Sequence, residues 1–151
     1  MFMGRPLPNH DIYMEKLSLY AEACEITIEY RDIDGDAAYI PSRRVIKLDK
    51  DMPESTEVAA LAHELGHCND DALQDDVLWK KIDKAYQVFY KGSANKKQKI
   101  LVLECEQRAW DHAKGICKKL RIPLGKWFTE EEKDSLDSYK ESADAEKIRA
   151  E

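Results

Sequence analysis

No apolar run in this chain approaches the length of a bilayer-spanning helix. The opening residues, Met1-Phe2-Met3-Gly4-Arg5-Pro6, lack the apolar core of a signal peptide. A cytoplasmic protein is expected. Cysteine is sparse and scattered: Cys24, Cys68, Cys105 and Cys117 form no Cys-x-x-Cys pair and no dense disulfide spacing. Reduced, buried thiols are expected instead. Positive charge is in deficit, with 24 Lys and Arg against 30 Asp and Glu, a net charge of −6. Phosphate binding wants a basic surface, so direct nucleic-acid binding is not expected. The basic stretch Lys91 to Lys99 reads as a solvated connection. There is no internal repeat and no long low-complexity segment. Histidine is scarce too: His10, His63, His67 and His112 are the whole set.

What is present suits one soluble domain. A chain of 151 residues can bury one core without staples. Asn9 is a plausible cap for a helix over 10–24, where Ile12, Tyr13, Leu17, Tyr20 and Cys24 recur at helical spacing. Three short strands follow, at 25–30, 37–40 and 43–48, rich in β-branched residues and separated by turn chemistry. They are expected to pair as an antiparallel sheet built from hairpins. Pro53 and Glu54 open a helix running to about Asn69. Another is expected over 72–90, with Leu73, Val77, Leu78, Ile82, Ala85, Tyr86 and Phe89 on its apolar side. A long helix is expected over 100–120. Thr129 and Glu132 suggest a capping box for a last helix near 130–141. The fold class is therefore α+β, a small three-stranded sheet with about five helices. Residues 1–141 form the domain, and 142–151 are a charged tail expected to fray.

The informative stretch is His63-Glu64-Leu65-Gly66-His67. On a helix, residues four apart share a face, so both imidazoles can close on one metal ion. Two imidazoles leave room on zinc for a third ligand and a water. Glu64 lies about 100° round the helix from His63. It cannot easily ligate the same ion, but it can reach a water held there. A carboxylate beside a polarised water is a general base for hydrolysis. Gly66, between the two His, allows close packing behind the metal.

A third protein ligand is expected. Glu106, Ala109 and Ala113 fall on one face of the long helix at i, i+3 and i+7. Small residues one turn below a carboxylate let another helix approach it. Glu104 lies about 200° away, so at most one of the two is a ligand. His112 is a weaker candidate for steadying an oxyanion, and His10 reads as a surface residue. Asp70, Asp71 and Asp111 are candidates for orienting a His ring. Cys68 and Cys105 are the rival ligands. A structural zinc site would place one of them at metal-bond distance.

The motif, followed by a helix bearing Glu106-x-x-Ala109-Trp110-x-x-Ala113, resembles the zincin metallopeptidases, most closely the ImmA/IrrE-type and related phage-encoded members. The similarity spans roughly residues 37–113. It implies a zincin-like, minimal gluzincin core with one Zn²⁺. His63, His67 and Glu106 would be its ligands, and Glu64 the base. The family's second pattern, Glu-x-Glu-Ala-x-x-Phe-Ala, also fits Glu104-Cys105-Glu106, but with Gln107 where alanine is wanted. Registering Glu106 as the first Glu puts Ala109 and Ala113 on the two alanines, and that register is preferred to Glu104. A zinc peptidase cleaving an extended segment of a protein partner is expected. The resemblance implies a transcriptional regulator as that partner. Pairing of the segment with an edge strand near Val45–Leu48 is expected. The alternative is a non-catalytic, metal-containing module that binds such a regulator.

Overall fold

A computed structural model of the chain describes residues 6–33 and 36–150, with side chains to Lys140. Six helices and one three-stranded sheet make up these residues. Helix α1 (His10–Ala23) precedes strands β1 (Thr27–Arg31), β2 (Ala37–Ile40) and β3 (Val45–Asp49). Then come α2 (Glu54–Cys68), the short α3 (Asp71–Gln74), α4 (Asp76–Tyr90), α5 (Lys96–Lys119) and α6 (Lys126–Ala150). None of the described helices is long and apolar enough to cross a membrane.

The sheet is mixed, not antiparallel throughout. Its order is β1-β3-β2. β3 pairs with β1 in parallel, Ile28 opposite Ile46, and with β2 in antiparallel, Tyr39 opposite Ile46. β3 is therefore the central strand, and no edge exists at Val45–Leu48. The reason lies in Val45-Ile46: adjacent strand residues point to opposite faces, and both are buried. A strand covered on both faces belongs in the middle of a sheet. The edge strands are β1 and β2.

Several local expectations also give way. Asn9 takes a left-handed conformation (φ 65°) and its side chain makes no cap; asparagine tolerates that region better than most residues. The expected helix over 72–90 breaks at Asp75, which is extended. Its carboxylate accepts from the amides of Val77 and Leu78, capping α4. Val77 and Leu78 are then exposed, and Ile82 and Ala85 carry the buried face. Helix α5 starts early, inside the expected basic loop, because Asn95 and Gln98 form a reciprocal capping box. No box forms at Thr129. Helix α6 begins at Lys126, the Thr129 hydroxyl donates back to the Lys126 carbonyl, and Glu132 pairs with Lys114 at 2.8 Å. The helix then continues to Ala150 instead of ending near 141.

Helix α1 packs on β1 and α2, and α2 packs on β2, β3, α5 and α6. The core follows this axis, from Leu17, Ile46 and Leu48 through Val58, Leu61 and Leu65 to Trp110, Ile116 and Phe128. Helices α2 and α5 come close together at Gly66. A Cβ there would lie 2.0 Å from the backbone oxygen of Ala109. The obstacle is backbone, so it cannot swing aside. Gly66→Ala adds about 1 kcal/mol of helix propensity, but overpacking typically costs ~1–3 kcal/mol and here meets an immovable atom. The expected net result is a lower urea midpoint, by about 2 kcal/mol of stability or more. An unchanged midpoint would show that the two helices separate freely.

His10 is not a free surface residue. Its side chain is 17% exposed, with Nε2 2.7 Å from Glu57 Oε1 and Nδ1 3.5 Å from Glu54 Oε2. Burial alone would lower its pKa, but the carboxylates of Glu57, Asp11 and Glu54 outweigh it and raise it. A folded-state pKa above the unfolded value stabilises the protein below the unfolded value, and that contribution fades as pH rises through the folded one. Replacing His10 by Gln should therefore destabilise the protein below about pH 6.5 and matter progressively less above it. Thermal unfolding of both proteins across pH 5 to 9 reads the difference. An effect that grows with pH contradicts the assignment.

Candidate metal centre

Helix α2 presents its two motif imidazoles on the face that meets α5. The rings are edge-to-face, with centroids 4.7 Å apart. Because Gly66 lets α5 approach so closely, Glu106 reaches both. Its Oε2 lies 3.0 Å from His67 Nε2, and its Oε1 lies 3.4 Å from His63 Nε2. Glu106 is 3% exposed. Glu104, two residues earlier and about half a turn round the helix, is exposed and outside the cleft. The structure thus brings His63, His67 and Glu106 together and leaves Glu104 apart. His63, Glu64 and His67 also offer ligand atoms within 4.8 Å of one another.

The electrostatics of the group are unusual for a protein interior. Burial alone would raise the Glu106 pKa, but the two imidazoles hold it well below the carboxylate range. Burial alone would lower the pKa of His67, but Cys105 and the Glu106 carboxylate hold it well above the ordinary value. Burial pushes the Glu64 carboxyl up, against the pull of the neighbouring imidazoles. Within this group, His63 Nε2, despite its nearness to Glu106, and Glu64 Oε2 are buried without a hydrogen-bond partner. Orphaned buried polar atoms are rare and call for an explanation. Two imidazoles and a carboxylate, converging with an unpaired ring nitrogen, are donors of the kind that can hold a zinc ion and leave a position open. The residues present fit such an ion.

The surrounding contacts fix the donors. The His63 ring stacks on Trp110, centroids 4.4 Å apart. The Tyr86 hydroxyl donates to Glu106 Oε2 at 2.6 Å. Burial and the adjacent Glu106 carboxylate push the Tyr86 pKa far up, so it stays a donor. Cys105 Sγ lies 3.8 Å from His67 Nδ1, the nitrogen turned away from Glu106, and its thiol faces Asp70 Oδ2. Asp70, 2% exposed, also accepts from Arg108 Nε at 3.0 Å and from the Ala72 amide. A thiol thus links the ring to a buried carboxylate, as partners that orient a ligating His usually do. Cys68 turns away and donates to the Glu64 carbonyl. Neither cysteine stands beside the Nε2 atoms. Asp71 and Asp111 are exposed, and His112 lies outside the cleft.

Sequence reasoning placed Asp70 near the site without its intermediary Cys105, and it placed Tyr86 only on an apolar helix face. A hydroxyl-bearing residue on such a face was the one available signal for Tyr86, since a buried Tyr needs a partner for its oxygen.

The centre opens into a cleft of about 470 Å³. Asp36, Ala37, Ala38 and Tyr39, at and just before the β2 edge, line it along one stretch. Helices α4 and α6 add Tyr86, Tyr90 and Tyr139. The Tyr90 and Tyr139 hydroxyls are 3.0 Å apart. Burial pushes the Tyr39 pKa up to about 12. No protein-family model, curated protein or solved structure matches the chain.

Proposed function

We propose that this protein is a zinc-dependent metallopeptidase that hydrolyses a peptide bond in a protein partner. The observation that carries the proposal is the convergence of His63, His67 and Glu106, with unpaired Glu64 beside them, in a cleft bordered by a free strand edge. His63 and His67 would hold the ion through Nε2, and Glu106 through its carboxylate. When bound, zinc supplies Lewis-acid activation of water and of the scissile carbonyl. Glu64 takes a proton from the attacking water and passes it to the leaving amine. Trp110, Tyr86 and the Cys105–Asp70–Arg108 chain keep the ligands aimed, so little reorganisation accompanies reaction. An extended substrate pairs with β2 by strand addition, since β2, not β3, offers unpaired backbone groups beside the cleft. The zincin likeness of the motif and of the Glu106 helix supports this proposal and suggests a transcriptional regulator as substrate.

The test is turnover. A co-expressed partner should be lost catalytically, and a chelator should stop its loss. Stoichiometric binding that neither a chelator nor Glu64→Gln affects would instead establish the non-catalytic module.

A further inference from the structure

Asp36, Asp83, Glu131 and Asp134 line the cleft together with Glu64 and Glu106, and among the described residues no lysine or arginine does. The chain holds 24 Lys and Arg, so their exclusion from one wall is a local arrangement and not a shortage. Three of the rim acids accept hydrogen bonds within the fold. Glu131 accepts from the Thr56 hydroxyl at 2.7 Å, Asp83 from the Gln87 amide at 2.9 Å, and Asp36 from the Ala37 backbone at 2.8 Å. All three partners are neutral. Deeper in, Glu64 is 5% exposed and its Oε2 has no partner. A cleft lined by one sign of charge concentrates the opposite sign within it.

We propose that the cleft takes an extended peptide segment rich in lysine or arginine. This rests on the peptidase proposal for the same site and names its substrate class. The β2 edge supplies backbone pairing, and the acids select the side chains. Binding can be read without hydrolysis. Fluorescein-labelled peptides alternating alanine with lysine, glutamine or glutamate are titrated by anisotropy into zinc-loaded Glu64→Gln protein. The lysine peptide should bind roughly tenfold or more tightly than the glutamine peptide at low salt, as several exposed pairs act together. The preference should shrink as salt rises. Combining Asp83→Asn, Glu131→Gln and Asp134→Asn should abolish it. Combining Glu15→Gln, Glu22→Gln and Glu25→Gln, all exposed and outside the cleft, should leave it intact. If the triple cleft variant does not fold, Asp134→Asn alone, at an exposed position, should weaken the preference partway.

Equal binding of all three peptides overturns the inference. So does a preference that survives the cleft variants or vanishes in the surface control. Displacement by spermidine at equal positive charge would show that the acids hold any cation, and would overturn it too. Cleavage is followed separately with the wild-type protein. A lysine peptide that binds with these dependences and is never cut upholds the inference and removes the peptidase proposal instead.

Discussion

Under the proposed peptidase chemistry, Glu64→Gln should retain zinc and lose hydrolysis by about 10²–10⁴-fold, the usual contribution of a positioned acid–base group. The substitution keeps the shape of the side chain and removes its ability to take a proton. Glu64 Oε1 approaches His63 on the Nδ1 side, at 3.8 Å, while Glu106 lies on the Nε2 side of both rings, so His63, His67 and Glu106 remain as donors in the variant. Metal content by elemental analysis should therefore remain one zinc per chain. Stability should hold or rise, because an unpaired buried carboxylate oxygen is replaced by a neutral amide that is less costly to bury. A variant that is stable, holds zinc and still cleaves at the wild-type rate would remove Glu64 from the chemistry.

The second large effect concerns the third ligand. Glu106→Ala should weaken zinc binding by more than the roughly 10–100-fold that losing an outer partner costs, and Glu104→Ala should leave it unchanged. The contrast follows from position: one carboxylate sits on both imidazoles, and the other faces solvent. Glu106→Ala also strands the Tyr86 hydroxyl, so part of any loss of stability comes from that donor. Glu106→Gln keeps an acceptor for Tyr86 and separates the two effects. It should bind zinc weakly and unfold near the wild-type temperature. Zinc retained by Glu106→Ala and lost by Glu104→Ala would reverse the assignment.

The His63–His67 pair was legible because helical geometry is local. A spacing of four puts His63 and His67 on one face whatever surrounds them. Glu106 was legible for a less local reason: Ala109 and Ala113 marked the face along which another helix could come close. The contact of Ala109 with Gly66 is that approach. Helix boundaries were read less well where a side chain capped the backbone at an unread position. Asp75 divides one expected helix, and the Asn95–Gln98 box begins another early.

The sequence by itself determined the two imidazoles, the carboxylate between them, the α+β composition and the face of α5 that carries Glu106. These depend on neighbours within two helical turns. Only the tertiary structure decided the strand order, which puts β3 in the middle and β1 and β2 at the edges, with β2 beside the cleft. It alone joined Cys105 to His67 and Asp70, turned Tyr86 onto Glu106, and gathered Asp36, Asp83, Glu131 and Asp134 around one cleft. Those contacts join residues from distant parts of the chain. Their partners are chosen by packing and charge across elements, which periodicity along the chain does not encode.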